Sequence, residues 1–165
     1  MADPNAALKT PTDLNRNDTK TVAQALNGIL ADSYALYFKT KNFHWHVSGP
    51  HFRDYHLLLD DQAAQILATT DVIAERVRKT GNATLRSVGD ISRHQSIKDN
   101  DKDFVAPEEM LAELREDNLK LIALLREAKE IVDEAKDNAT SGILDEWTDQ
   151  AEERAWFLFE TTRKG

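Results

Sequence analysis

Residues 51–81, HFRDYHLLLDDQAAQILATTDVIAERVRKTG, carry the pattern that decides the fold. Phe52, Tyr55, Leu59, Ala63, Ile66, Val72 and Ile73 mark the apolar stripe of one long helix. The helix closes on Lys79-Thr80-Gly81, a cationic last turn followed by a helix-terminating glycine. Upstream, Val22, Leu26, Ile29, Leu30, Tyr34, Tyr37 and Phe38 recur at three- and four-residue spacing. They predict a helix capped by Asp18 or Thr19, ending near Val47 at the Ser48-Gly49-Pro50 stop.

Downstream, residues 82–106 form a long connection with Gly89 and polar clusters, and Ile91 to Ile97 can form a short helix within it. Pro107-Glu108-Glu109 opens a third long helix with Leu111, Leu114, Ile122, Leu125, Ile131 and Val132 on its stripe. After Asp137-Asn138 a fourth follows, with Thr140 or Ser141 as cap and Ile143, Leu144, Trp147, Ala151, Ala155, Trp156 and Phe159 inside. The expected fold class is all-α: a ferritin-like four-helix bundle with a long crossover, containing a short helix, between the second and third long helices. Residues 1–17, polar and holding Pro4 and Pro11, read as a flexible or loosely docked tail, and residues 18–163 as one domain.

Composition narrows the chemistry. The chain of 165 residues is 41% hydrophobic, enough for a single core, and ten residues of glycine plus proline argue against a fold of many short strands. It has no cysteine, which excludes disulfides, thiolate metal sites and cysteine nucleophiles. The formal charge is −8, and residues 99–160 hold 19 acids against 7 bases. Such a chain is a poor general binder of nucleic acid and presents either a cation-attracting face or a solvated acidic one. Nothing resembles a signal peptide or a membrane span, so the expected setting is cytoplasmic. Phosphate-binding loops, dinucleotide turns, nucleophile elbows and His-Glu-x-x-His are all absent from the sequence.

Four of the five histidines lie between residues 44 and 56. His44 and His46, two apart on a helix, point ~200° apart and cannot serve one metal. On the second helix His56 and Asp60 are four apart, as are Asp71 and Glu75, and Asp60 to Asp71 is eleven residues. Eleven residues return to within ~20° of the same direction, so all four side chains share one stripe. Imidazole and carboxylates on one stripe suit ferrous iron, manganese or zinc; the plainer alternative is a set of surface acids beside a rim histidine. The Glu-x-x-His pair of bundle-interior diiron sites is absent, so a site inside one bundle is not expected. Asp60 and Asp71 are separated by ~16 Å of helix, whereas metal–oxygen bonds are ~2 Å. One chain therefore cannot put both on one ion. A two-fold axis near Gln65-Ile66 would bring His56 and Asp60 of one chain to Asp71 and Glu75 of another, and His44 could join them.

The run His44-Trp45-His46-Val47-Ser48-Gly49-Pro50-His51-Phe52, followed by His56, Asp60, Asp71 and Ala74-Glu75-Arg76, resembles the Dps family, the mini-ferritins also called DNA-binding proteins from starved cells. The C-terminal stretch through Ile143-Leu144 and Trp156-Phe157 is similar to that family's last helix, and the resemblance spans about residues 18–163. It implies a ferroxidase: His44, His56 and Asp60 from one chain and Asp71 and Glu75 from its neighbour bind iron. The activity it implies is oxidation of ferrous iron, preferably by hydrogen peroxide, with ferric mineral stored in a hollow dodecameric shell built from two-fold dimers. Trp45 beside the ligands either takes up stray oxidising equivalents or anchors the helix end. Two departures stand out. His46 occupies a position where many members carry asparagine. Of the acids of the family's iron-admitting pore, Asp133 fits, while Asn138 and Gly142 replace aspartates of some members, with Asp137, Asp145 and Asp149 as substitutes.

Competing expectations are a nucleoid-coating protein, which would call for a lysine-rich tail, and a helical oligomer that takes zinc adventitiously. Residues 1–20 hold three bases and three acids, so DNA binding is expected to be weak or absent.

Overall fold

Five α-helices and one short 3-10 turn organise the residues described by the computed structural model, 2–164, with no strand among them. The 3-10 turn covers Ala6–Leu8; the helices are α1 (Arg16–His46), α2 (Phe52–Lys79), α3 (Val88–His94), α4 (Pro107–Glu134) and α5 (Asn138–Thr162). The all-α bundle with its crossover helix is as the sequence predicts.

The helix ends differ from expectation by a turn or less, for identifiable reasons. α1 starts at Arg16 because the Asn15 side chain, rather than Asp18 or Thr19, accepts from the free amides of Asn17 and Asp18. α3 starts at Val88 because Ser87 Oγ accepts from the Asp90 amide. α5 is capped by Asp137, whose carboxylate takes the Thr140 amide, rather than by Thr140 or Ser141. Between α4 and α5 the chain reverses through Lys136 at φ 59, and the Lys136 and Asp137 amides close onto the carbonyls of Asp133 and Val132.

Side-chain bonds set the helix directions. Short links make α1–α2 and α4–α5 antiparallel hairpins. Lys39 of α1 reaches Asp117 at 2.8 Å and Glu113 at 2.9 Å on α4, while Lys120 donates to the Ser96 carbonyl beside Asp32 of α1. α1 and α4 are therefore antiparallel. Gln62 bonds the Arg154 carbonyl and Arg76 bonds Asp137, so α2 and α5 are antiparallel too. The crossover returns along α1, from Asn27 bonded to Ala83 to Asn42 bonded to Asn100. It is latched by Asp32, a buried carboxylate that accepts from the Ser96 amide, the Ser96 hydroxyl and the Ile97 amide at 2.6–2.9 Å. Ile97 is buried beneath that latch.

One core runs through the bundle, with Leu26, Leu30, Leu36, Phe43, Leu59, Ile66, Ile73, Leu111, Leu114, Leu125 and Leu144 wholly enclosed. Burial of each such side chain favours folding by roughly 1.5–3 kcal/mol. Five residues that the periodicity assigns to the core instead stand exposed: Phe38, Phe52, Val72, Trp156 and Phe159. They lie at the edge of the apolar arc, which is wider here than the part the bundle can cover. At the N-terminus, Arg78 donates to the Leu8 carbonyl at 2.9 Å, and Thr10 passes over Gly81, where an added Cβ would stand 3.0 Å from the Thr10 carbonyl oxygen. Gly81 also sits at φ +85, so glycine is required there twice over.

Candidate metal centre

The end of α1 and the start of α2 bring His44 and His56 together by exchanging hydrogen bonds. His44 Nδ1 donates to the His56 carbonyl at 2.7 Å, and His56 Nδ1 donates to the His44 carbonyl at 2.8 Å. The rings stack with centroids 3.8 Å apart, and Phe52 stacks on the other side of His56 at 5.0 Å. A backbone carbonyl can only accept, so both Nδ1 atoms carry a proton, and in the neutral form of each ring the lone pair lies on Nε2. Neither Nε2 makes a hydrogen bond among the described residues. This is how a ligating histidine is oriented in metal sites, by a partner that fixes the tautomer.

Asp60 lies one turn beyond His56, and its Oδ1 is 3.8 Å from His44 Nε2. The same oxygen accepts from the Lys41 ammonium at 2.8 Å. That hydrogen bond holds the Asp60 carboxyl below the usual carboxylate range, helped by the charges of Lys41, His44 and His56 against a desolvation that pushes the other way. His44 is buried, while the Asp60 side chain is 53% exposed, so the cluster opens on the outer face of α2.

Asp71 and Glu75 are not part of this cluster. They stand exposed on the same face three to four turns along α2, with Glu75 3.8 Å from Lys79. Among the described residues no three His, Asp or Glu side chains converge on one metal position within the chain. The exposed face between the two halves holds the apolar Leu57, Ala64, Leu67, Ala68 and Val72, with Asp61 at its edge. The four candidate ligands pair symmetrically about the Gln65–Ile66 midpoint: His56 with Glu75, and Asp60 with Asp71.

Trp45 is 57% exposed, and the Lys41 ammonium lies 5.9 Å from its ring. His46 Nδ1 is occupied by Asn42, 2.8 Å away, apart from the His44–His56 pair. Of the acids near the α4–α5 turn, Asp137 is buried and held by Arg76 and Thr140, whereas Asp133, Asp145 and Asp149 are exposed. Asp133 accepts from Ser141 Oγ, and Lys129 is 2.8 Å from Asp145. Sequence reading overlooked Lys41. Its signal was the i, i+3 spacing to His44, which puts both on one side of α1.

A family model described as a ferritin-like domain matches residues 23–164. An uncharacterized low temperature-induced protein of Nostoc is 36% identical over 138 residues, 83% of this chain and 77% of the relative. A DNA protection during starvation protein of Agrobacterium fabrum is 33% identical over 150 residues, 91% of this chain and 93% of the relative. The crystal structure of a Dps protein from Bacillus brevis superposes with a TM-score of 0.85 at 29% identity, covering 89% of this chain and 98% of that one.

Proposed function

We propose, because the chain belongs to the ferritin-like family and within it to the Dps proteins, that it oxidises ferrous iron and stores the ferric product, so limiting oxidative damage. The observation that carries the reading is the incomplete metal centre. His44 Nε2 stands 3.8 Å from an Asp60 carboxylate oxygen, with the His56 ring stacked on His44, on an exposed face whose other half bears two further carboxylates at symmetric positions.

A second chain running antiparallel across that face would complete the set. His44, His56 and Asp60 of one subunit would then meet Asp71 and Glu75 of the next, giving two equivalent sites per dimer. Leu57, Ala64, Leu67, Ala68 and Val72 are the apolar contact such a pairing would bury. Neutral imidazole favours ferrous iron, and the carboxylates stabilise the ferric product. The proposed oxidant is hydrogen peroxide: it takes one electron from each of two ferrous ions, its O–O bond breaks, and hydroxide forms without release of a hydroxyl radical. Trp45, exposed beside the ligands, is the proposed acceptor of stray oxidising equivalents. Two-fold dimers would build a dodecameric shell around the mineral. The proposed setting is the cytoplasm, where a protein similar to one named for DNA protection meets the nucleoid; no helix among the described residues is long and apolar enough to cross a membrane.

Mixing subunits tests the shared site. A His44→Ala/His56→Ala chain and an Asp71→Ala/Glu75→Ala chain should each lose iron oxidation. Their mixed dimers should recover one of two sites. Verified mixed dimers that stay inactive would show that the site is not shared between chains.

A further inference from the structure

We propose that Lys41 is a built-in competitor for the iron site, a tethered cation that ferrous iron must displace from Asp60. The inference rests on the reading above and adds a residue to it. Lys41 and His44 are three residues apart on α1, so both side chains reach the same carboxylate on α2. They also reach the same oxygen: Asp60 Oδ1 is 2.8 Å from Lys41 Nζ and 3.8 Å from His44 Nε2.

A metal ion bonded at ~2 Å to both His44 Nε2 and Asp60 Oδ1 would occupy the space between them. The ammonium, already in contact with that oxygen, would then face a divalent cation at a few ångströms. Two positive charges that close repel strongly, so the ion and the ammonium cannot share Oδ1. Lys41 has somewhere to go. Its side chain is 19% exposed on a flexible four-carbon stem, and the exposed Trp45 ring lies 5.9 Å from Nζ. An ammonium released from Asp60 can settle over that ring by cation–π attraction.

Lys41 thus trades affinity for selectivity. An ion that gains only the carboxylate has to break an existing ion pair for one bond. An ion that also takes imidazole nitrogen recovers more than it displaces, and ferrous iron is of that kind. The role differs from simple positioning. A residue that merely aimed Asp60 would weaken binding when removed, whereas a competitor strengthens it.

Anaerobic calorimetric titration of ferrous iron into the assembled protein tests this, comparing wild type with Lys41→Met, Lys41→Gln and Lys41→Arg. Both neutral variants should bind about two- to fivefold more tightly, the scale of a partly exposed ion pair. Lys41→Arg, which keeps the charge, should stay close to wild type. The use of two neutral variants guards against one that fails to assemble. If wild type binds ferrous iron and both neutral variants bind equally or more weakly, the competitor role is wrong while the iron site stands. If wild type and variants alike bind no ferrous iron, the iron site falls and the role of Lys41 with it.

Discussion

Arg154 Nε donates to Asn118 Oδ1 at 2.8 Å, and both side chains are buried at the middle of the bundle. Arg154 Nη1 donates to Gln65 Oε1 at 2.8 Å, so one guanidinium ties α5 to α4 and α2. Its listeners are neutral amides rather than carboxylates, and burial lowers its pKa to about 10. Arg154→Met alone should destabilise the protein by about 1–3 kcal/mol, because Asn118 Oδ1 is left buried without a donor. Arg154→Met with Asn118→Leu should recover part of that loss, since Asn118 no longer leaves an orphan while the half-buried Gln65 Oε1 still lacks its donor. Urea unfolding of the single and double variants measures both; a double variant no more stable than Arg154→Met would contradict the account.

Asp117 should make stability depend on pH in an unusual direction. Burial pushes its carboxyl up, against the pull of the Lys39 ammonium 2.8 Å away, and the Glu113 charge adds to the rise while Lys120 opposes it. A folded pKa above the unfolded one means that the folded state holds the proton longer. The contribution is therefore fully present below the unfolded value and is lost as pH climbs to the folded value. Asn cannot titrate, so the stability of wild type minus that of Asp117→Asn should fall as pH rises through the carboxylate range and level off towards neutrality. Urea melts between about pH 3.5 and 7 read the slope. A difference that grows with pH would mean that Lys39 outweighs burial.

DNA should be bound weakly or not at all. Phosphate contacts supply most of the affinity of flexible basic tails, and residues 1–20 hold as many acids as bases. A net charge of −8 per chain adds long-range repulsion. Gel-shift titration at ~0.15 M salt should leave duplex DNA free, and a clear shift at that ionic strength would overturn the expectation.

The bundle was legible because its helices are long and their apolar periods unbroken, and because Pro107 and Gly81 punctuate them at their ends. His56 and Asp60 were legible as a pair through their four-residue spacing on α2. Geometry said only that His44 could join them, and the family resemblance named it as a ligand, since its contact with His56 depends on how α1 folds back onto α2. Arg154 was hidden for the opposite reason. It follows Glu152 and Glu153 in an acidic helix and reads as a surface cation until α2 and α4 close over it. Asp32 was hidden likewise, because its partners Ser96 and Ile97 lie more than sixty residues along the chain. The exposed Phe38 and Phe52 show the limit of periodicity, which finds apolar faces without saying what covers them.

The hairpin pairing also has a meaning in time. Synthesis delivers α1 and α2 first, and their short link lets them pair early through local contacts. The faces they will turn to α4 and α5 then wait, uncovered, while the crossover and the second hairpin are made. In the closed bundle Ser96 and Ile97 sit on Asp32 and hold the later half of the chain back along α1. Damage to that single carboxylate would therefore strip the Ser96 and Ile97 donors of their acceptor, weakening the finished bundle and lengthening the interval in which a half-made one is open to aggregation.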